Sequence, residues 1–226
     1  MPSFDIVKEI SKPTGFRANS IVGKFDLSVD NYKEHFKGNI DLPNEWQIGL
    51  IVGNSGTGKT TIAKEIFGDD YFNGFHYDGE TIMDDMPKEK SVDEISKTFN
   101  SVGFSSPPSW LKPYHVLSNG EKMRVDLARC ILEDQERIVF DEFTSVVDRT
   151  VAKVGSLAVS KAIRKTKKQM IAVTCHHDVE AWLQPDWVFD TDTMVFFCTH
   201  DKKGHNLKSK FERLKDSGNC LGSITI

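Results

Sequence analysis

Three short stretches of this chain hold residues whose types and spacing suit work on a phosphate. GNSGTGKTT, Gly53 to Thr61, fits the pattern G-x-x-x-x-G-K-[ST]. Gly53, Gly56 and Gly58 let the backbone curl, so that successive N–H groups across Asn54, Ser55 and Thr57 point inward at an anion. Lys59 then reaches the terminal phosphates as a point charge, Thr60 offers its hydroxyl to Mg²⁺, and Thr61 carries the chain into a helix. RIVFDEF, Arg137 to Phe143, ends an apolar run on two carboxylates. Asp141 is placed to hold the hydration shell of Mg²⁺, and Glu142 to orient or deprotonate an attacking water. A strand end capped by surface acids is the structural alternative. LSNGE, Leu117 to Glu121, stands just before an amphipathic run. Ser118 and the Gly120 N–H open that helix, which makes a cap and also a second anion site.

The elements that must position these residues alternate in type. WQIGLIV, Trp46 to Val52, reads as a buried strand running into the glycine-rich turn, and TTIAKEIF as the helix after it. EKMRVDLARCILE is an amphipathic helix with Met123, Leu127 and Ile131 on one face. RIVFDE is a strand, VAKVGSLAVSKAIRKT a helix, and QMIAVTC a strand. WVFDTD and TMVFFCT close the sheet. SIVGKFDL, Ser20 to Leu27, and NIDLP read as short strands near the start, and one short helix is expected around SVDEISKTFNSV. Strands alternating with helices predict an α/β fold, a mostly parallel sheet covered on both faces. The 226 residues fit a single domain, with residues 68–130 as a small helical part.

The bulk composition excludes several classes. A net charge of −4 gives no global basic field for nucleic acid. The local basic stretches KAIRKTKKQ, Lys161 to Gln169, and DKKGHNLKSKFERLK read first as solvated faces. Cys130, Cys175, Cys198 and Cys220 form no CxxC pair, which points to reduced thiols and a cytoplasmic setting. No apolar run approaches the roughly 18 residues of a membrane span. Direct membrane insertion is not expected.

Taken in order, these motifs resemble those of the ABC ATPases, over roughly residues 20–190. GNSGTGKTT is similar to that family's phosphate loop and LSNGE to its LSGGQ signature. VFDEFTSVVD resembles its catalytic-glutamate strand and D-loop, with Asp148 at the D-loop carboxylate. TCHHD, Thr174 to Asp178, lies where the family has its switch histidine, and His176 or His177 could fill that role. His176 is favoured, because it stands closest to the strand end. The resemblance implies a P-loop fold with an N-terminal antiparallel β part and a reduced helical subdomain. It implies ATP and Mg²⁺ as cofactors, and a head-to-tail homodimer in the ATP state. Each nucleotide would lie between one chain's Gly53–Thr61 and the other's Ser118, Asn119, Gly120, Glu121 and Asp148.

The departures matter as much. Asn119 replaces a signature glycine, which suggests a left-handed backbone that Asn tolerates. Glu121 replaces glutamine. Residues 62–116 contain no glutamine, so the family's Q-loop residue is missing by identity. Asp84 and Asp85 are the stand-ins able to reach Mg²⁺, with a solvated acidic loop as the alternative. Phe25, Phe16 and Tyr32 are the upstream aromatics available to stack on a base, Phe25 first, with a place in the core as the favoured alternative for each. The short interval before Leu117 argues against a transporter's docking groove. The leading expectation is therefore a soluble ATPase acting on DNA, RNA or a protein complex, as in the stand-alone chains of phages and mobile elements, some joined to an acetyltransferase-like domain. The alternatives are the energising subunit of a membrane transporter, which predicts an exposed apolar groove in residues 68–113, and a slow nucleotide-gated switch.

Overall fold

The structure, a computed structural model, is described for residues 3–10, 14–26 and 32–199. The described residues form two sheets. A two-stranded antiparallel hairpin pairs β1 (Ser3–Ile10) with β2 (Tyr32–Asn39) along its whole length, and α1 (Phe16–Lys24) fills the connection. The main sheet has the order β4-β5-β3-β6-β7. Its strands are β3 (Ile48–Val52), β4 (Arg137–Phe140), β5 (Gln169–Thr174), β6 (Trp187–Asp190) and β7 (Val195–Cys198). The first four run parallel, and β7 adds an antiparallel edge. This is the mostly parallel P-loop sheet expected, with its separate antiparallel part.

Strand β3 is buried at all five positions and shows why a continuous apolar run was needed. Ile48, Leu50 and Val52 face one layer, where α5 (Asn119–Leu132), α6 (Arg149–Ile163) and α7 (Val179–Leu183) contribute Met123, Leu127, Val159, Ile163 and Leu183. Ile51 faces the other, where α2 (Lys59–Phe67) contributes Ile62, Ala63 and Phe67. Between them Gly49 leaves room for a neighbouring ring: a Cβ there would lie 2.0 Å from Trp187. A third core joins the middle of the chain to the buried side of α5. Ile82, Met86, and Ile95 and Phe99 of α3 (Val92–Ser101) pack there with Phe104, Leu117, Val125 and Ala128. The short α4 (Pro107–Trp110) lies alongside, and Trp110 Nε1 donates to the Phe104 carbonyl (2.9 Å).

One expected element has the wrong type. Residues 20–24 are the end of α1, not a strand, and the antiparallel pair is built from residues on either side. β1 and β2 already satisfy each other's inward-facing backbone groups over eight registered pairs. The connecting segment instead satisfies its backbone groups within a helix. No residue of α1 is buried. The NIDLP segment is likewise mostly loop, with only Asn39 in β2 and Ile40 fully buried below it.

Candidate functional site

β3 delivers the chain at the centre of the sheet into the turn from Gly53, and Gly58 ends that turn in a left-handed conformation (φ 84°) as the N-cap of α2. A side chain at Gly58 would suffer that strain and also meet the Phe36 ring at 2.7 Å. The loop is braced from outside by the turn after β6. The Asn54 N–H donates to Asp192 Oδ1 (2.8 Å), the Thr57 and Thr191 hydroxyls are 2.6 Å apart, and the Thr191 N–H donates to the Val52 carbonyl (2.8 Å). Lys59 Nζ folds over the loop onto the Asn54 carbonyl (2.6 Å). Ser55 is exposed on the turn, and Thr60 and Thr61 lie in the first turn of α2.

β4 brings the acids to this loop. The Thr60 hydroxyl donates to Asp141 Oδ2 (2.8 Å), and the Tyr71 hydroxyl donates to the same oxygen. The Glu142 N–H donates to Asp141 Oδ1 (2.8 Å). Glu142 itself has a left-handed backbone (φ 51°) with its side chain exposed, and Thr144 follows at φ 66°. Such conformations cost on the order of 1 kcal/mol each and concentrate where a site needs them. The buried Thr144 and Ser145 hydroxyls have no hydrogen-bond partner.

The two histidines are separated by the fold. His176 is half-buried with its N–H on the Thr174 hydroxyl (3.2 Å). His177 Nε2 lies 3.3 Å from Asp192 Oδ2, the carboxylate that braces Asn54. His177 is thus linked to the phosphate loop through one side chain. Asp178, next to it, pairs with Arg149 at the start of α6.

LSNGE forms a complete capping box. The Ser118 N–H and hydroxyl both donate to Glu121 Oε2 (3.0 and 2.8 Å), and the Glu121 N–H donates to Ser118 Oγ (3.3 Å). Ser109 donates to Glu121 Oε1 (3.0 Å). These contacts, the Ser118 amide first, hold the Glu121 carboxyl below its ordinary value. Asn119 is the first residue of α5 and right-handed, so the expected left-handed turn does not occur. The capping box sets ordinary helical geometry from that residue onward. Gly120 sits against α6: a Cβ there would be 3.2 Å from Val151 and 3.5 Å from Val147. Asp148 is the N-cap of α6, accepting from the Thr150 and Val151 N–H groups (2.9 and 3.0 Å).

Of the two Q-loop stand-ins, Asp84 is bonded to its own turn, while Asp85 is bonded through Oδ1 and keeps a buried Oδ2 without a hydrogen-bond partner. Asp84 closes a capping box with Thr81 on the turn Ile82–Asp85, and Asp85 Oδ1 accepts from the Asp78 and Gly79 N–H groups (3.0 and 2.8 Å). Phe25 is 60% exposed beyond α1, under Lys24; the ring against the loop is that of Phe36. Phe16 is also exposed, so neither it nor Phe25 is in the core; the Tyr32 side chain and Cys220 lie outside the described residues. Sequence reading therefore missed Phe36, Tyr71, Thr191 and Asp192. The only signal for the last two was a polar D-T-D-T turn directly after an apolar strand.

The donor set fits Mg²⁺ with a nucleotide. Thr60 and Asp141 present hard oxygens 2.8 Å apart beside the loop. Among the described residues no cluster of three His, Cys, Asp or Glu side chains could hold a metal alone. That suits an ion which takes few protein ligands and completes its shell from phosphate and water.

No protein-family model matches the chain. It is 25% identical over 187 residues to the maltose/maltodextrin import ATP-binding protein MalK of Mannheimia succiniciproducens, covering 67% of this chain but only half of that protein. It is 27% identical over 204 residues to the energy-coupling factor transporter ATP-binding protein EcfA of Aster yellows witches'-broom phytoplasma, covering 73% of this chain and 68% of that one. In structure it resembles MJ0796, a bacterial ABC transporter cassette solved as a dimer. That match has a TM-score of 0.51 and 15% identity, covering 70% of this chain and 87% of the other. The chain therefore has the fold of an ABC ATPase cassette, and its similarity to curated ATP-binding proteins supports that family.

Proposed function

We propose that this chain binds and hydrolyses ATP with Mg²⁺ as an ABC-type cassette that energises a membrane transporter. The meeting of the Thr60 hydroxyl with the Asp141 carboxylate at the mouth of the phosphate loop carries the ATPase reading. In that reading the loop amides and Lys59 hold the phosphates, Thr60 and Asp141 hold Mg²⁺, and Glu142 takes a proton from water. Bound Mg²⁺ would supply charge neutralisation on the terminal phosphates. Ser118, Gly120 and Asp148, at the starts of α5 and α6, would complete the site of a second copy.

The transport reading rests on the relatives, which are transporter ATP-binding proteins, and it replaces the nucleic-acid reading as the better supported. The basic stretch Lys161 to Gln169 is also partly occupied. Arg164 pairs with Asp186, and Lys168 donates to the Glu133 and Gln135 carbonyls. Exposed apolar side chains exist where a membrane partner would dock, Val92 and Leu111 among them.

Lys59→Ala should lose measurable ATP binding by titration calorimetry, and unchanged affinity would mean the loop has been misread. ATPase assays against membranes carrying a permease, and separately against DNA and RNA, separate the coupled roles. Stimulation by nucleic acid alone would reverse the transport assignment.

A further inference from the structure

Tyr71 bonds directly to the acidic strand end, and the proposed ATPase gives it no role. Its backbone is pinned to β4: Tyr71 forms a parallel bridge with Val139, and the Phe72 N–H donates to the Val139 carbonyl (2.9 Å). That places it level with the residue two positions before Asp141. Its hydroxyl donates to Asp141 Oδ2, the oxygen that also accepts from Thr60. Its ring is half-buried against the core under α2, and Lys64 Nζ lies 4.7 Å above the ring centroid. Asp84 and Asp85, the acids that the missing glutamine suggested, are held by Thr81 and by the turn at Asp78 and Gly79.

We propose that Tyr71 is a positioning residue for the divalent cation, fixing the Asp141 carboxylate through its hydroxyl in a chain without a Q-loop glutamine. This rests on the ATPase reading above. With three donors on two oxygens, Asp141 has a defined orientation toward Thr60 before any ion arrives. Removing the hydroxyl leaves two donors, the Thr60 hydroxyl and the Glu142 N–H, and opens Oδ2 to water.

Tyr71→Phe keeps the ring, its packing and the Lys64 contact, and deletes only the donor. The probe is Mn²⁺, followed by its electron paramagnetic resonance signal as it is titrated into the full-length protein with saturating ATP. Apparent Mn²⁺ affinity should fall about tenfold in Tyr71→Phe, in the range seen when an outer-shell partner of a metal ligand is lost. ATP binding in EDTA should match the wild type, and the KM for ATP at saturating metal should hold while the half-saturating Mg²⁺ concentration rises. A purely structural role would not separate metal affinity from metal-free nucleotide affinity. Mn²⁺ affinity equal to the wild type, or tighter, overturns the assignment of Tyr71 and leaves the ATPase reading standing. Absence of ATP binding by the wild-type chain overturns both.

Discussion

Asp141 takes donors from a helix start, from its own neighbour's backbone and from Tyr71 seventy residues upstream. The first was legible in the sequence, because a strand, a glycine loop and a helix follow one another and a second apolar strand ends on acids. Tyr71 was not, because nothing local ties position 71 to position 141; only the bridge to Val139 aligns them. The same holds for Asp192, which braces Asn54 from a turn that carries no motif of its own. Glu142 shows a different kind of silence. Its identity suggested a base, while its left-handed backbone (φ 51°) leaves no trace in the sequence. That strain gives a prediction: Glu142→Gly should stabilise the fold by about 1 kcal/mol while abolishing hydrolysis. Urea denaturation beside a phosphate-release assay reads both. A less stable glycine variant would show that the conformation is not strained.

Helix starts were the most readable elements. S-V-D-E before α3 and S-N-G-E before α5 both form capping boxes, with Ser91 paired to Glu94 and Ser118 to Glu121. Ser118→Ala should cost about 1 kcal/mol, as loss of a cap usually does. The box also sets a pH dependence. The Ser118 amide lowers the Glu121 carboxyl below its ordinary value of 4.5, so its contribution to stability is fully present above that pH. It is lost as pH falls through the lowered value. Glu121→Gln keeps the cap geometry without the titration, so stability of this variant should fall less between pH 6 and pH 3 than that of the wild type. Parallel acid limbs for the two proteins would contradict the assignment. Where propensity misled was α1: Ile21 and Val22 read as strand, but the segment forms a helix that satisfies its backbone groups internally.

At the scale of the molecule, alternation of strands and helices was enough for the parallel sheet, since β3 buried on both faces requires a helix layer on each. The same scale raises a question that the single chain does not answer by itself. LSNGE and the phosphate loop both suit anions, yet the signature's hydrogen bonds end on its own cap and Ser109, and the loop's end on the β6–β7 turn. If one chain's loop works with another's signature, two different defects should complement. Lys59→Ala disables the loop and keeps the signature. Gly120→Asp places a carboxylate at the signature, with Val151 yielding a few tenths of an ångström, and keeps the loop. Each variant alone should be inactive as an ATPase. Mixed in equal amounts and allowed to exchange, random pairing puts one intact composite site in half of the dimers, so activity should recover to about a quarter of the wild-type rate. A Gly120→Asp protein that hydrolyses ATP by itself would mean that each chain works alone and that LSNGE is a helix cap and nothing more, and a mixture as inactive as its components would mean that loop and LSNGE do not pair across chains.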